Sequence, residues 1–186
     1  MNEVIQNILT RRSVRVYKEE QISDADLNVI LEAAQFAPST MNKQDWHFTA
    51  VQNKEKIEKL NQMIKEAFVN SQIEHLQKQG SNPNFDVFYK APTLVIASGG
   101  NVTNMEQIDC ALALQNIFLA AHSLNIGSCW IHALNMVGDD HKIKSFLTEL
   151  GVPDNYNVYG TAILGFNGGN EPSAPQRDKG IINIVK

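Results

Sequence analysis

Residues 11–15, Arg-Arg-Ser-Val-Arg, bring the guanidinium groups of Arg11, Arg12 and Arg15 and the hydroxyl of Ser13 into five positions. Phosphate recognition wants this combination. Arginine's planar fork of donors matches phosphate oxygens two at a time, and a serine hydroxyl adds a donor to the same anion. A solvated basic turn has the same composition, so these residues alone leave both readings open. A second basic pair, Arg177 and Lys179, stands in PQRDKG, where the flanking proline and glycine argue against a regular helix. Alone it is an ordinary surface turn, and the two clusters meet on one phosphate only if folding brings them together.

The loop from Ala37 to Trp46, APSTMNKQDW, carries Pro38, Ser39, Thr40, Asn42 and Gln44. Their amide and hydroxyl groups can read a flat heterocycle with alternating donors and acceptors. A helix-to-strand turn with local hydrogen bonds is the competing reading. His47, His75, His122, His132 and His141 show no metal spacing, and neither GxSxG nor HExxH occurs. Metalloprotease and hydrolase chemistry therefore lack their first requirement. His122 falls in an apolar helical stretch, which predicts a packed or hydrogen-bonded role. The glycines of GFNGG, 165–169, precede no helical pattern and read as a turn, not a dinucleotide fingerprint.

Length and composition bound what can hold such residues in place. The chain has 186 residues, 43% hydrophobic, which suits one domain over 1–186 that buries about 70% of its unfolded surface. Lysine and arginine total 16 against 20 acidic residues, a net charge of -4. Nucleic acid and acidic membranes thus meet no global attraction, and any basic site is local. MNEVIQNILTRR lacks the apolar run and cleavage site of a secretory signal, and nothing approaches a membrane span. Cys110 and Cys129 lie in apolar sequence without CxxC spacing, so a reduced, cytoplasmic setting without disulfide or zinc is expected.

The elements follow from spacing. Val4, Ile5, Ile8 and Leu9 make one helical stripe ahead of the basic segment. A second helix starts at an N-cap, Ser23, carries Leu27, Ile30, Leu31 and Ala34 on one face, and ends before Pro38. HFTAVQ reads as a strand, 54–79 as a helix broken at GSNPN, and TLVIASGG as a buried strand. The stretch from Ile108 to Leu124 is apolar on nearly every face, so it must be surrounded, with its stop at Gly127. SCWIH is a short strand, Ile143 to Leu150 a helix ended by Gly151 and Pro153, and NVYGTAILG a strand. In the tail, IINIV is an apolar run expected to pair with a strand elsewhere. No repeat or linker divides the chain, and the element order predicts an α+β fold, a sheet flanked by helices.

Taken in order, RRSVRVY, APSTMNKQDWHF, the helix with LQNIFLAAHSLNIGSCWI and the basic tail, the chain resembles the compact members of the FMN-dependent nitroreductase family over nearly its whole length. The RxSxR element followed by the PSxxNxQxW loop is the most specific part. The resemblance implies an α+β fold with a central, mostly antiparallel sheet, and an interlocked homodimer around a long central helix with FMN in the interface. It implies that Arg11, Arg12 and Ser13 hold the FMN phosphate and ribityl region, with Arg177 and Lys179 closing on the phosphate. Arg15 is implied at the pyrimidine edge of the ring, where its charge favours reduction. Pro38, Ser39, Thr40, Asn42 and Gln44 would reach the flavin from the partner subunit. Trp130, Ile131, His132 and Ala133 would pass the ring mainly with backbone groups, and residues 170–186 would pack on the partner.

The implied activity is transfer of hydride from NADH or NADPH through FMN to a nitroaromatic, quinone or similar small acceptor, by ping-pong kinetics. A flavin or enone reductase on the same scaffold is the rival enzyme, and a flavin-binding sensor or carrier the rival outside enzymes. A nucleotide-binding regulatory module ranks last. Asp45 stands where the family usually has proline, which puts loop rigidity in question, and the polar stretch 70–90 matches no specific substrate pocket.

Overall fold

The computed structural model describes residues 1–178 and 180–186; Lys179, expected at the phosphate, lies outside the described residues. In chain order the elements are α1 Glu3–Thr10, α2 Asp24–Gln35, β1 Trp46–Val51, α3 Lys54–Val69, α4 Glu74–Ser81, β2 Thr93–Gly99, α5 Glu106–Ser123, β3 Gly127–Ile131, α6 Ala133–Val137, α7 His141–Glu149 and β4 Asn157–Gly165. The four strands form one sheet in the order β1-β2-β4-β3, and every pair is antiparallel.

Alternation along the strands divides the core. Val95, Ala97, Ala162 and Leu164 turn to one face, where α2 and α5 pack through Ile30, Ala34, Ala113, Ile117 and Ala121. Leu94, Ile96, Cys129 and Ile163 turn to the other, covered by α3, α4, α6 and α7 with Leu60, Ile64, Leu76, Leu134 and Phe146, and by Phe88 from the segment before β2. All seven residues of β2 are buried, which explains its unbroken apolar run. Helix starts are set by side-chain caps: the Ser23 hydroxyl accepts from Asp26 N–H at 3.1 Å, and Asn2, Asn53 and Asp140 cap α1, α3 and α7.

Several expectations change. The helix expected over 54–79 is two helices. Asn70 closes α3, its N–H donating to Glu66 O at 3.2 Å and its Nδ2 to the same oxygen at 3.0 Å, while Ile73 turns extended and opens α4. The short polar side chains there compete for the backbone, so no glycine or proline is needed to stop the helix. Gly80 then lets α4 lie directly on α3, since a Cβ would sit 2.5 Å from Lys65 O.

The stop assigned to Gly127 belongs to Asn125. That residue takes φ 58, and Ile126 N–H donates to Ala121 O at 2.9 Å, closing α5. Gly127 instead opens β3, where a Cβ would meet Val14 Cγ2 at 2.9 Å. The tail run IINIV pairs with no strand among the described residues, and Ile181, Ile182, Ile184 and Val185 are exposed. Helix α6 and a 3-10 turn at Thr40–Asn42 are additions that periodicity cannot detect at three to five residues.

Candidate functional site

The basic segment leaves α1 and runs beside β3. Ser13 bridges Ser128 in parallel, Val14 N–H donates to Ser128 O at 2.9 Å, and Tyr17 bridges Asn167. Val14 is buried and pins the segment. Its neighbours Arg11, Arg12 and Ser13 stay half-buried, and Arg15 is exposed. The Arg12 Nη1 donates to Leu9 O at 2.8 Å and Arg11 O at 2.7 Å, closing the negative end of α1. Its other donors remain free for a ligand. Arg11 lies over the Phe118 ring, 6.0 Å from its centroid.

Arg11, Arg12 and Val14 line a cavity of about 110 Å³ together with His122, Ser128, Asn167 and Glu171. Burial pulls the Arg11 guanidinium below its usual pKa, and the positive charges of Arg12 and Arg177 push it down further. Arg177 thus stands within electrostatic reach of Arg11, so one cation from the far end of the chain joins this neighbourhood. His122 is lowered first by burial and then by Arg11, with Glu171 opposing. As expected it is hydrogen-bonded, its Nε2 2.9 Å from Thr10 Oγ1, but it also lines the cavity. Ser128 Oγ is buried without a hydrogen-bond partner. A concave cationic site with an unpartnered buried hydroxyl fits an anionic phosphate ester. A larger cavity, about 250 Å³ between α6, α7 and β4, contains none of the arginines, so volume does not locate the chemistry.

The loop 38–45 is ordered by its own bonds. Ser39 Oγ accepts from Gln44 N–H at 3.0 Å, and Gln44 Nε2 donates to Asn42 Oδ1 at 3.0 Å. Thr40 gives both its N–H and its hydroxyl to Asp109 on α5, so the Thr40 side chain is already engaged. Pro38, Asn42 and Gln44 are exposed and Ser39 is half-buried. Asp45 does not loosen the loop in place of proline. Its carboxylate accepts from Tyr156 O–H at 2.8 Å and from Val102 N–H at 3.3 Å.

β3 is an edge strand. Beyond the Ser13–Ser128 bridge its outer backbone groups have no strand partner among the described residues. Trp130 is half exposed, its ring 5.2 Å from that of exposed His132, whereas the Ile131 side chain is in the core. Only the backbone of Ile131 is open to a ligand. The loop and the arginines are not together in one chain. Asp109 anchors the loop near the start of α5, while Leu119 O and His122 hold α1 near its end. At 1.5 Å per residue these anchors are about 20 Å apart.

Ser128, Asp109 and Tyr156 escaped the sequence reading, as did the place of His122 in the cavity wall. Each gains its role from a contact distant in the chain, and no local spacing signals it. Among the described residues no cluster suited to a metal ion occurs, and no helix is long and apolar enough to cross a membrane.

A two-faced α+β sheet with a cationic cavity beside its edge strand defines a class, and comparison with known proteins gives it a family. The nitroreductase family model matches residues 8–166. A crystal structure of a nitroreductase with bound FMN from Bacteroides fragilis superposes with a TM-score of 0.97 at 46% identity, covering 100% of both chains. A protein of Archaeoglobus fulgidus provisionally named NADH dehydrogenase/NAD(P)H nitroreductase is 35% identical over 89% of this chain and 86% of its own. The FMN reductase (NADPH) of Bacillus subtilis is 25% identical over 83% of this chain and 68% of its own. The chain belongs to the nitroreductase family and is an oxidoreductase.

Proposed function

We propose that this chain is an FMN-dependent oxidoreductase, a single domain that acts as a homodimer and carries hydride from NADH or NADPH to a small planar acceptor such as a nitroaromatic or quinone. The observation that carries the reading is the cationic cavity, where Arg11, Arg12 and Ser128 meet and Arg177 adds its charge. FMN is the cofactor held by the Bacteroides fragilis relative. Bound FMN would supply the redox step, so the protein needs no catalytic dyad.

The residues divide the remaining work. Arg11, Arg12, Ser13 and Arg177 hold the phosphate, and Ser128 offers a further hydroxyl. Arg15, exposed beyond the pinned Val14, supplies positive charge at the pyrimidine edge, where negative charge gathers on reduction. The backbone of Trp130, Ile131 and His132 flanks the ring along the open edge of β3. Pro38, Ser39, Asn42 and Gln44 face the flavin of the partner.

Two features support the dimer. Helix α1 buries none of its residues, with Val4, Ile5, Ile8 and Leu9 exposed, and α5 exposes Ile108 and Leu112 nearer its own start. That apolar surface needs a cover. The loop and the arginines lie at opposite ends of α5, so a two-fold pairing along α5 brings one chain's loop toward the other's arginines. Donor and acceptor would then use the same open face in turn, giving ping-pong kinetics.

An anaerobic visible spectrum tests the reading. Purified protein should be yellow, bleach on NADH or NADPH, and recover on a nitroaromatic compound. Protein that takes up no FMN overturns the proposal. The resemblance to a named FMN reductase favours a second reading in which free flavin is the acceptor; turnover of free FMN with nitro compounds left untouched would select it.

A further inference from the structure

We propose that Asp109 is a positioning residue for the flavin ring, acting from α5 through Thr40 on the loop 38–45. The inference rests on the proposed function, which sets this loop against the partner's flavin. Asp109 is 3% exposed. Both of its oxygens accept from Thr40 N–H at 3.1 Å, and Oδ1 also accepts from Thr40 O–H at 3.1 Å. No ion pair among the described residues includes it. A buried carboxylate is costly unless its lone pairs are met, and here the hydrogen bonds that meet them come from one loop residue.

The backbone just past Thr40 needs such an anchor. Met41, Asn42 and Gln44 hold φ of 51, 51 and 52, left-handed values adopted without glycine. Backbone of this kind persists only where its surroundings over-determine it. Asp109 fixes the start, the Ser39–Gln44 bond closes the middle, and Asp45 ties the end to Tyr156 and Val102. Ile108 and Leu112, on the same helix, are exposed, and the proposed pairing along α5 sets them against the partner. One rigid helix therefore sets both the position of the partner and the shape of the loop delivered to it.

The loop is assigned to the ring and the arginines to the phosphate, so the two can be told apart by ligand. FMN and riboflavin, which lacks the phosphate, are titrated into flavin-free wild-type protein and into Asp109→Ala, Asp109→Asn and Arg11→Gln. Asp109→Ala should weaken FMN and riboflavin by the same factor, about tenfold, and shift the visible band of the bound flavin, with dimer mass retained. Arg11→Gln should weaken FMN alone. A folded, dimeric Asp109→Ala that binds both flavins with wild-type affinity and spectrum, or that loses affinity for FMN only, overturns the role.

Should the Asp109 variants fail to fold, amide hydrogen exchange on wild-type protein decides. Thr40 N–H should exchange at least about tenfold slower than Met41 N–H, and equal rates overturn the anchor. Wild-type protein that binds neither flavin overturns the proposed function instead, a failure visible before any substitution.

Discussion

Arg11 is held by the protein's own contacts, resting over Phe118 while Val14 pins the backbone three residues on. Such a preplaced cation gives phosphate affinity at little ordering cost. Arg11→Gln is expected to weaken FMN by about tenfold to a hundredfold, read by quenching of flavin fluorescence. His122 sets a pH dependence. Its pKa in the fold is below the ordinary 6.5, so the unfolded chain takes up the proton first as pH falls. Its contribution opposes folding as pH drops through about 6.5 toward the folded value. Flavin-free protein should therefore show a falling urea midpoint between pH 7 and pH 6, and His122→Gln should flatten that fall. At this scale the RxSxR residues were legible because they are neighbours in sequence. Ser128 and Asp109 were not, because a serine in a strand and an aspartate in a helix become informative only when Val14 and Thr40 arrive beside them.

Elements with an unambiguous start were read well. Ser23 caps α2 as expected, and Gly151, at φ 103, ends α7. The break between α3 and α4 was hidden because Ile57, Leu60, Ile64 and Phe68 keep helical spacing to the last turn of α3, and the stop is made by Asn70 bonding to Glu66. The end of α5 misled for a related reason: glycine is the usual left-handed cap, but asparagine serves too. Asn125→Gly should be neutral or stabilise by up to about 1 kcal/mol, and Asn125→Val should destabilise by about 1–2 kcal/mol. Thermal unfolding of both variants checks this, and equal melting temperatures would remove Asn125 from the role. Because α5 runs straight into β3 through this turn, a loosened cap should also disturb Ser128.

For the whole molecule, the sheet and its two covered faces were legible from apolar runs, but the fate of the tail was not. IINIV looked like a strand; alone in the chain it stays exposed, as an apolar segment does when its partner surface lies on another molecule. Removing residues 170–186 should lower both dimer mass and flavin content, and a truncated protein that keeps both would detach the tail from assembly. The placement of the loop and the arginines at opposite ends of α5 has a genetic consequence. In the proposed dimer each pocket would draw one half from either subunit, so lesions in different halves need not fail together. A subunit damaged at Arg11 and another damaged in the loop, co-expressed in equal amounts, would form mixed dimers with one pocket wholly intact and one doubly damaged. About a quarter of all pockets would then be restored, if subunits pair at random, and two silent alleles would complement each other.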